Sequence, residues 1–361
     1  LYLNRQRIQV IDITEGIIQR FFGLVKMEIK TAGSGTERAS ISAISHERAL
    51  ELKDLLSKDK KAGHTEAEGE ESEQKEPIYR KIEGRELMIA AITSGSFGII
   101  ASIVGGITSQ LNQVINEENI DWIASHLPGF NNLMVIAGIV AVLILISWLL
   151  SFFGVLIQYT DFKIQKGDEE LIISRGLFER KTVTLPYNRV QAVKIVEGLF
   201  RMPIKRAMIY IESAGFQQQK SKSVVAMPLI RKDEISDFLA VFLDEYEWRD
   251  VEIRPPERSF FRYLRRPLYL PLLAIIPLSV LWTGKAAWLL LLCLPLLYFA
   301  YCSYKENGAR ISQELMIVIN RFVNRKTILV RRPRIQAAEM TINPFQSRKL
   351  LSSFDIKVAS G

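Results

Sequence analysis

The sequence predicts an α+β membrane protein in which three related β-rich units, the first and last incomplete, alternate with two transmembrane helical hairpins. Three observations predict it. Apolar residues gather in long uncharged runs, the polar stretches between those runs repeat one another, and each repeat closes with an amphipathic helix or lacks room for one. The chain has 361 residues, enough for two or three folded units at roughly 150 residues each. Its 18 Phe, 11 Tyr and 5 Trp can bury too much area for a disordered chain. Two Cys exclude a disulfide scaffold. Three scattered His leave little room for a zinc site or a histidine triad, so no metal or cofactor is expected.

In chain order, residues 1–56 form a partial unit. Ala39–Ile44 reads as a strand and His46–Leu56 as a helix. Residues 57–77 lack Leu, Ile, Val and aromatics and crowd six Glu together. Such a stretch cannot bury enough surface to fold and reads as a flexible acidic linker. Residues 87–109 and 133–157 are free of charge over 23 and 25 positions. At about 1.5 Å of rise per residue, either crosses a hydrocarbon core of roughly 30 Å. Residues 158–247 form the complete unit, with strands near 157–165, 170–175, 179–185, 189–197, 205–213 and 222–228. In 208–213 Ile209 and Ile211 point one way and Tyr210 and Glu212 the other. A helix over 231–246 follows, with Ile235, Phe238, Leu239, Phe242 and Leu243 on one face. Residues 267–302 form a second apolar block broken only by Lys285, read as helices 267–283 and 286–302 around Thr283–Lys285, with a re-entrant hairpin as the alternative. Residues 310–361 form the last partial unit.

Charge predicts the orientation, because short cytoplasmic loops collect Lys and Arg. The loop within the first hairpin holds Glu117, Glu118 and Asp121 and no Lys or Arg. Arg254, Arg258, Arg262, Arg265 and Arg266 precede the second hairpin, and Lys305 and Arg310 follow it. All three polar segments are therefore expected on the cytoplasmic side.

Residues 7–33 align without gaps on 189–215, with eight of 27 positions identical, against about two by chance. Residues 180–192 align on 325–337 with six of 13 identical. The first unit lacks the opening strands of the middle one, and the third stops before a closing helix. The chain thus reads as an excerpt cut inside two repeats, with end units weakened by unpaired strand edges.

The pattern T-[VI]-x-[LV] followed by R-[IV]-Q, a Gly, and V-x-I-x-x-A-G resembles the bacterial pleckstrin-homology-like (PH-like) membrane proteins of the YdbT type. Thr182, Arg189–Gln191 and Ala214–Gly215 carry it, and residues 23–33 repeat its end. The resemblance covers nearly all of the chain outside 57–77. It implies PH-like β-sandwich or barrel units, each of two packed, roughly orthogonal antiparallel sheets capped by a C-terminal helix. It implies no established enzyme activity.

Three sets of residues are candidates for contact. The recurring Arg7/Gln9, Arg189/Gln191 and Arg334/Gln336 would share one strand face at i, i+2. They could hold a phosphate or a partner's backbone, or serve the fold alone. Arg258, Arg262, Arg265 and Arg266, interleaved with Phe260, Phe261 and Tyr263, could contact anionic lipid or simply set topology. Ser94, Gly98, Ser102 and Gly106 recur every four residues, a stripe that lets a second helix approach closely. The mixed charges of 163–170 argue against a strong phosphoinositide pocket. Cys293 and Cys302 are too far apart along one helix for a disulfide. No catalytic constellation, phosphate-binding Gly loop or intramembrane carboxylate stands out. The reading is a non-catalytic bacterial cell-membrane scaffold whose cytoplasmic units meet protein partners or a second copy. The alternative is an anionic-lipid-binding or lipid-handling protein. Membrane lipids are expected as partners and nucleic acid is not.

Overall fold

The structure is a computed structural model that describes residues 8–31, 38–58, 78–94, 133–213, 223–273, 275, 290–291 and 293–358. The linker core at 59–77, most of the first apolar run and the turn of the second lie outside the described residues.

The first unit supplies β1 (Ile8–Glu15), β2 (Leu24–Thr31) and β3 (Arg38–Ser45), followed by the helix His46–Lys58. After β4 (Tyr79–Lys81) come the helices Gly84–Ile92 and Leu133–Tyr159. The middle unit holds β5 (Lys163–Lys166), β6 (Glu170–Arg175), β7 (Arg180–Pro186), β8 (Val190–Glu197), β9 (Arg206–Ser213) and β10 (Ser223–Arg231), closed by the helix Ile235–Phe242. Helix Phe260–Arg265 precedes the second apolar block, and helix Cys293–Glu306 carries the last ten residues of that block and continues beyond it. The third unit adds β11 (Gly308–Ile311), β12 (Leu315–Arg321), β13 (Arg325–Arg331), β14 (Ile335–Thr341), a short helix Pro344–Ser347 and β15 (Ser353–Val358).

The strands follow the β-branched runs closely, with one shift. The stretch from residue 157 is helical to Tyr159 rather than extended, and β5 begins only at Lys163. The apolar run carries the helix onward, and Asp161 at φ 53° turns the chain into the sheet. The closing helix is shorter than the amphipathic pattern 231–246. A 3-10 turn at Lys232–Glu234 precedes it and it stops at Phe242. Its five predicted core residues, Ile235, Phe238, Leu239, Phe242 and Leu243, are all buried. Gly176 (φ 112°) is required in the β6–β7 turn, since a Cβ there would lie 2.1 Å from the Glu179 carbonyl oxygen.

The sheets ignore the unit boundaries. One sheet runs β3-β2-β1-β7-β6-β5-β4, and a second runs β10-β9-β8-β13-β12-β11. Each unit's opening strands therefore extend the sheet begun by the preceding unit's closing strands. The two junctions use one register. Ile13 faces Thr182 and Ile11 faces Thr184; at the equivalent positions Ile195 faces Thr327 and Val193 faces Leu329. This corrects the expectation of an unpaired edge in the first unit: β7 covers β1. Pairing satisfies backbone groups that an exposed edge would leave to solvent. The core is shared in the same way. Leu315, Ile317 and Leu329 of the third unit and Val10 of the first pack into the middle unit's hydrophobic cluster.

Among the described residues one helix segment, Ala141–Tyr159, is long and apolar enough to cross a membrane. Val142, Leu145, Leu149, Leu150 and Phe153 on it are exposed, as lipid-facing side chains would be. The helix Gly84–Ile92 packs beside it. Ser94 and Ser151 bring their hydroxyls to 3.1 Å, and the Trp148 indole donates to the Ile92 carbonyl at 3.3 Å.

A basic cleft beside the second apolar block

Arg258, Arg262, Arg265 and Arg266 recur at helical spacing, so the turn and helix over Glu257–Arg265 bring them to one side. The helix is held by aromatic packing: Tyr304 lies 5.1 Å from the Phe260 ring and 5.9 Å from the Tyr263 ring. Facing it is the β14–β15 connection. There Asn343 caps the helix Pro344–Ser347, accepting from the Gln346 amide at 2.8 Å, while the Gln346 side-chain oxygen accepts from the Asn343 amide at 2.8 Å. Ser353 joins the two walls. Its hydroxyl oxygen accepts from Arg262 at 3.0 Å and from Gln346 at 3.0 Å.

Between these walls lies an open cleft of about 850 Å³. Arg258, Arg262, Arg265 and Arg266 line one side and Arg348 and Lys349 the other. Among its described lining residues there is no carboxylate. Arg258, Arg265, Arg266, Arg348 and Lys349 are exposed, so each can turn its charge to a ligand. Cations at such spacing repel one another unless an anion lies among them. Its apolar lining is mostly aromatic: Phe261, Tyr269 and Phe345 are between 61% and 78% exposed. Aromatic and basic residues together are the composition of a membrane interface.

The sequence pointed to the four arginines. It missed Arg348, Lys349, Phe345 and Leu351, which join them only when the third unit folds back. Their available signal was a basic pair flanked by exposed-type apolar residues just after a Pro, too common to single out.

None of the described members of the recurring Arg and Gln set lines the cleft. Arg189 and Arg334 sit in 3-10 turns, Tyr187–Arg189 and Arg332–Arg334, rather than on the strands. This corrects the expected i, i+2 strand face. Each Gln falls where the hairpin register slips: the pairing skips Gln9 between Ile8 and Val10, Gln191 between Val190 and Ala192, and Gln336 between Ile335 and Ala337. A bulge there bends the strand as the chain passes from one sheet to the next. Gln191 is buried and donates to the Arg189 carbonyl at 3.3 Å. Arg334 donates to the Asn188 carbonyl at 2.6 Å, linking the equivalent turns of two units. The motif thus marks a corner of the fold. Arg7 and the Gln9 side chain lie outside the described residues, as do Gly98, Ser102 and Gly106. Ser94, the first of that stripe, does meet the neighbouring helix.

Arg201 carries no motif that marks it in the sequence. Arg201 is buried and donates to the Ala90 carbonyl at 3.2 Å, the Thr93 hydroxyl at 3.1 Å and the Pro228 carbonyl at 3.2 Å. It ties the end of helix Gly84–Ile92 to the middle unit, and burial pushes its guanidinium below the ordinary arginine value. Gln19 and Gln346 hold the equivalent positions of the other units.

The fold and cleft can be set beside known proteins. The bacterial PH domain family matches residues 1–60, 112–245 and 268–361. The chain belongs to the bacterial PH domain family. A relative from Bacillus subtilis (strain 168), the UPF0699 transmembrane protein YdbT, is 33% identical over 378 residues, covering 99% of this chain and 75% of the relative. No solved structure matches. The chain is accordingly a bacterial PH domain membrane protein of the YdbT type, mixed α and β with antiparallel sheets.

Proposed function

We propose that this protein binds the anionic headgroups of membrane phospholipids in the basic cleft, without catalysing a reaction on them. One observation carries the reading: six cations converge on a cleft with exposed aromatic residues in its lining beside an apolar chain segment. Each Lys or Arg near an anionic surface contributes about 1 kcal/mol. The cleft faces the cytoplasmic leaflet in this reading, both apolar blocks thread the cell membrane as hairpins, and all three units lie beneath it. A reporter at 120 and at 215 tests that topology. The chain purified in detergent should bind a short-chain anionic phospholipid more tightly than its zwitterionic analogue. Replacing Arg265, Arg266, Arg348 and Lys349 by Gln should weaken that binding by about 10²–10³-fold, and added salt should do so progressively. Unchanged affinity in the quadruple variant overturns the reading.

A second reading, a scaffold offering sheet edges to protein partners, is favoured by sheets that already cross unit boundaries. Crosslinking in intact cells should then trap a defined complex that includes this chain, and recovery of the uncrosslinked chain alone counts against it.

A further inference from the structure

β14 is the third member of a series whose first two members are covered. β1 is paired on one side with β2 and on the other with β7, and β8 with β9 and β13. β14 pairs with β15, and no described strand lies along its other edge. The hairpins are otherwise alike. Ile13 faces Met27, Ile195 faces Ile209 and Met340 faces Phe354, equivalent positions in all three. Ile13 and Ile195 are buried, yet Met340 is 63% and Phe354 54% exposed.

We propose that the open edge of β14 docks the opening three-stranded meander of a further unit of this same repeat, antiparallel and in the register of the other two junctions. Its third strand would be of the Arg-Lys-Thr-apolar kind seen in Arg180–Leu185 and Arg325–Val330, with the Thr opposite Met340. Main-chain pairing would supply affinity, and the alternate side chains would set register. The donor is a meander not already engaged. β7 and β13 are each held by a strand of this chain, so a second copy could contribute one only by giving up a buried junction. This inference deepens the scaffold reading by naming the partner of one edge.

The test uses the full chain with Cys293 and Cys302 replaced by Ser and a cysteine placed at 340. The probe is a synthetic peptide of residues 308–331 carrying Thr327→Cys. Under mild oxidation the M340C chain should form the mixed disulfide at least about tenfold faster than E339C or T341C chains, because neighbouring side chains point to the opposite face. Exchange of the amides over 335–341 should slow as the peptide is added, and Ala338→Pro should abolish both effects. Equal rates at the three positions, or no protection, overturn the proposal. So does disulfide-linked dimer from an M340C/T327C double variant without peptide, which would make a second copy the occupant. The scaffold reading has its own readout, complex formation in cells, and can fail or survive separately.

Discussion

The hairpins β8–β9 and β14–β15 share a pairing register and a bulge at the same residue, yet their environments are opposite. Ile195 is 0% exposed and Met340 63%. Ile195 lies beside β13 of the next unit and shares one hydrophobic cluster with Leu315, Ile317 and Leu329. Hairpin geometry is local, set by turn length and strand alternation. Burial in this protein is lent by a neighbouring unit. A unit's stability therefore depends on whether its closing sheet has been extended.

The sharpest way to break that contrast is at β13. Leu329 is fully buried between units, and Leu329→Ala should cost about 2–5 kcal/mol, read as a lowered denaturation midpoint of the middle unit. If the midpoint stays put, the shared core is refuted. Next comes Glu197, buried with Lys232 at 3.5 Å on one side and Arg325 of the third unit at 3.5 Å on the other. Glu197→Gln removes the carboxylate paired with Lys232 and leaves Arg325 with only Glu306 at 3.9 Å, and should cost about 1–3 kcal/mol by the same measurement. A smaller effect should follow pH. Burial, with Asp244 and Glu170 adding, pushes the Tyr187 hydroxyl from 10.0 up to about 12. The protonated phenol is favoured in the folded state, so this stabilisation is complete below pH 10 and lost as pH rises from about 10 towards about 12. Tyr187→Phe should flatten that part of the stability–pH curve. The smallest effects belong to β14. Met340→Ala should change stability by less than about 0.5 kcal/mol. Glu339→Gln should change nothing measurable, since its 2.7 Å pair with Lys357 is exposed on both sides. A large loss at either would show that β14 is already covered.

Much of the fold was legible because its signals are local. β-branched alternation located the middle unit's strands within one residue, apart from the 157–162 corner and the end of β10, which runs three residues past 228, and the apolar face of 235–243 located the closing helix. The repeat alignment even contained the junction register, since Thr182 and Thr327 are equivalent and so are Ile13 and Ile195. What could not be read was that these equivalent residues meet across units. Nothing in a strand's alternation says which strand lies beside it. The candidate site was half legible for the same reason. Arg258 to Arg266 form a cluster in sequence, whereas Arg348 and Lys349 are more than eighty residues away and reach the cleft through Ser353. The recurring Arg and Gln were visible, but their role at the corner between sheets depends on a register slip that no composition reveals.

By itself the sequence determined the elements: which stretches are greasy enough for lipid, which are strands, and which three stretches are copies of one another. Those properties follow from side-chain period and hydrophobicity, which act over a few residues at a time. The tertiary structure alone decided that the copies share sheets and a core, that β7 covers β1 while no described strand lies along the second edge of β14, and that two distant basic runs face each other across one cleft. Those outcomes depend on hydrogen bonds and packing between residues far apart in the chain, where pairing is chosen by whichever edge and apolar face remain to be satisfied.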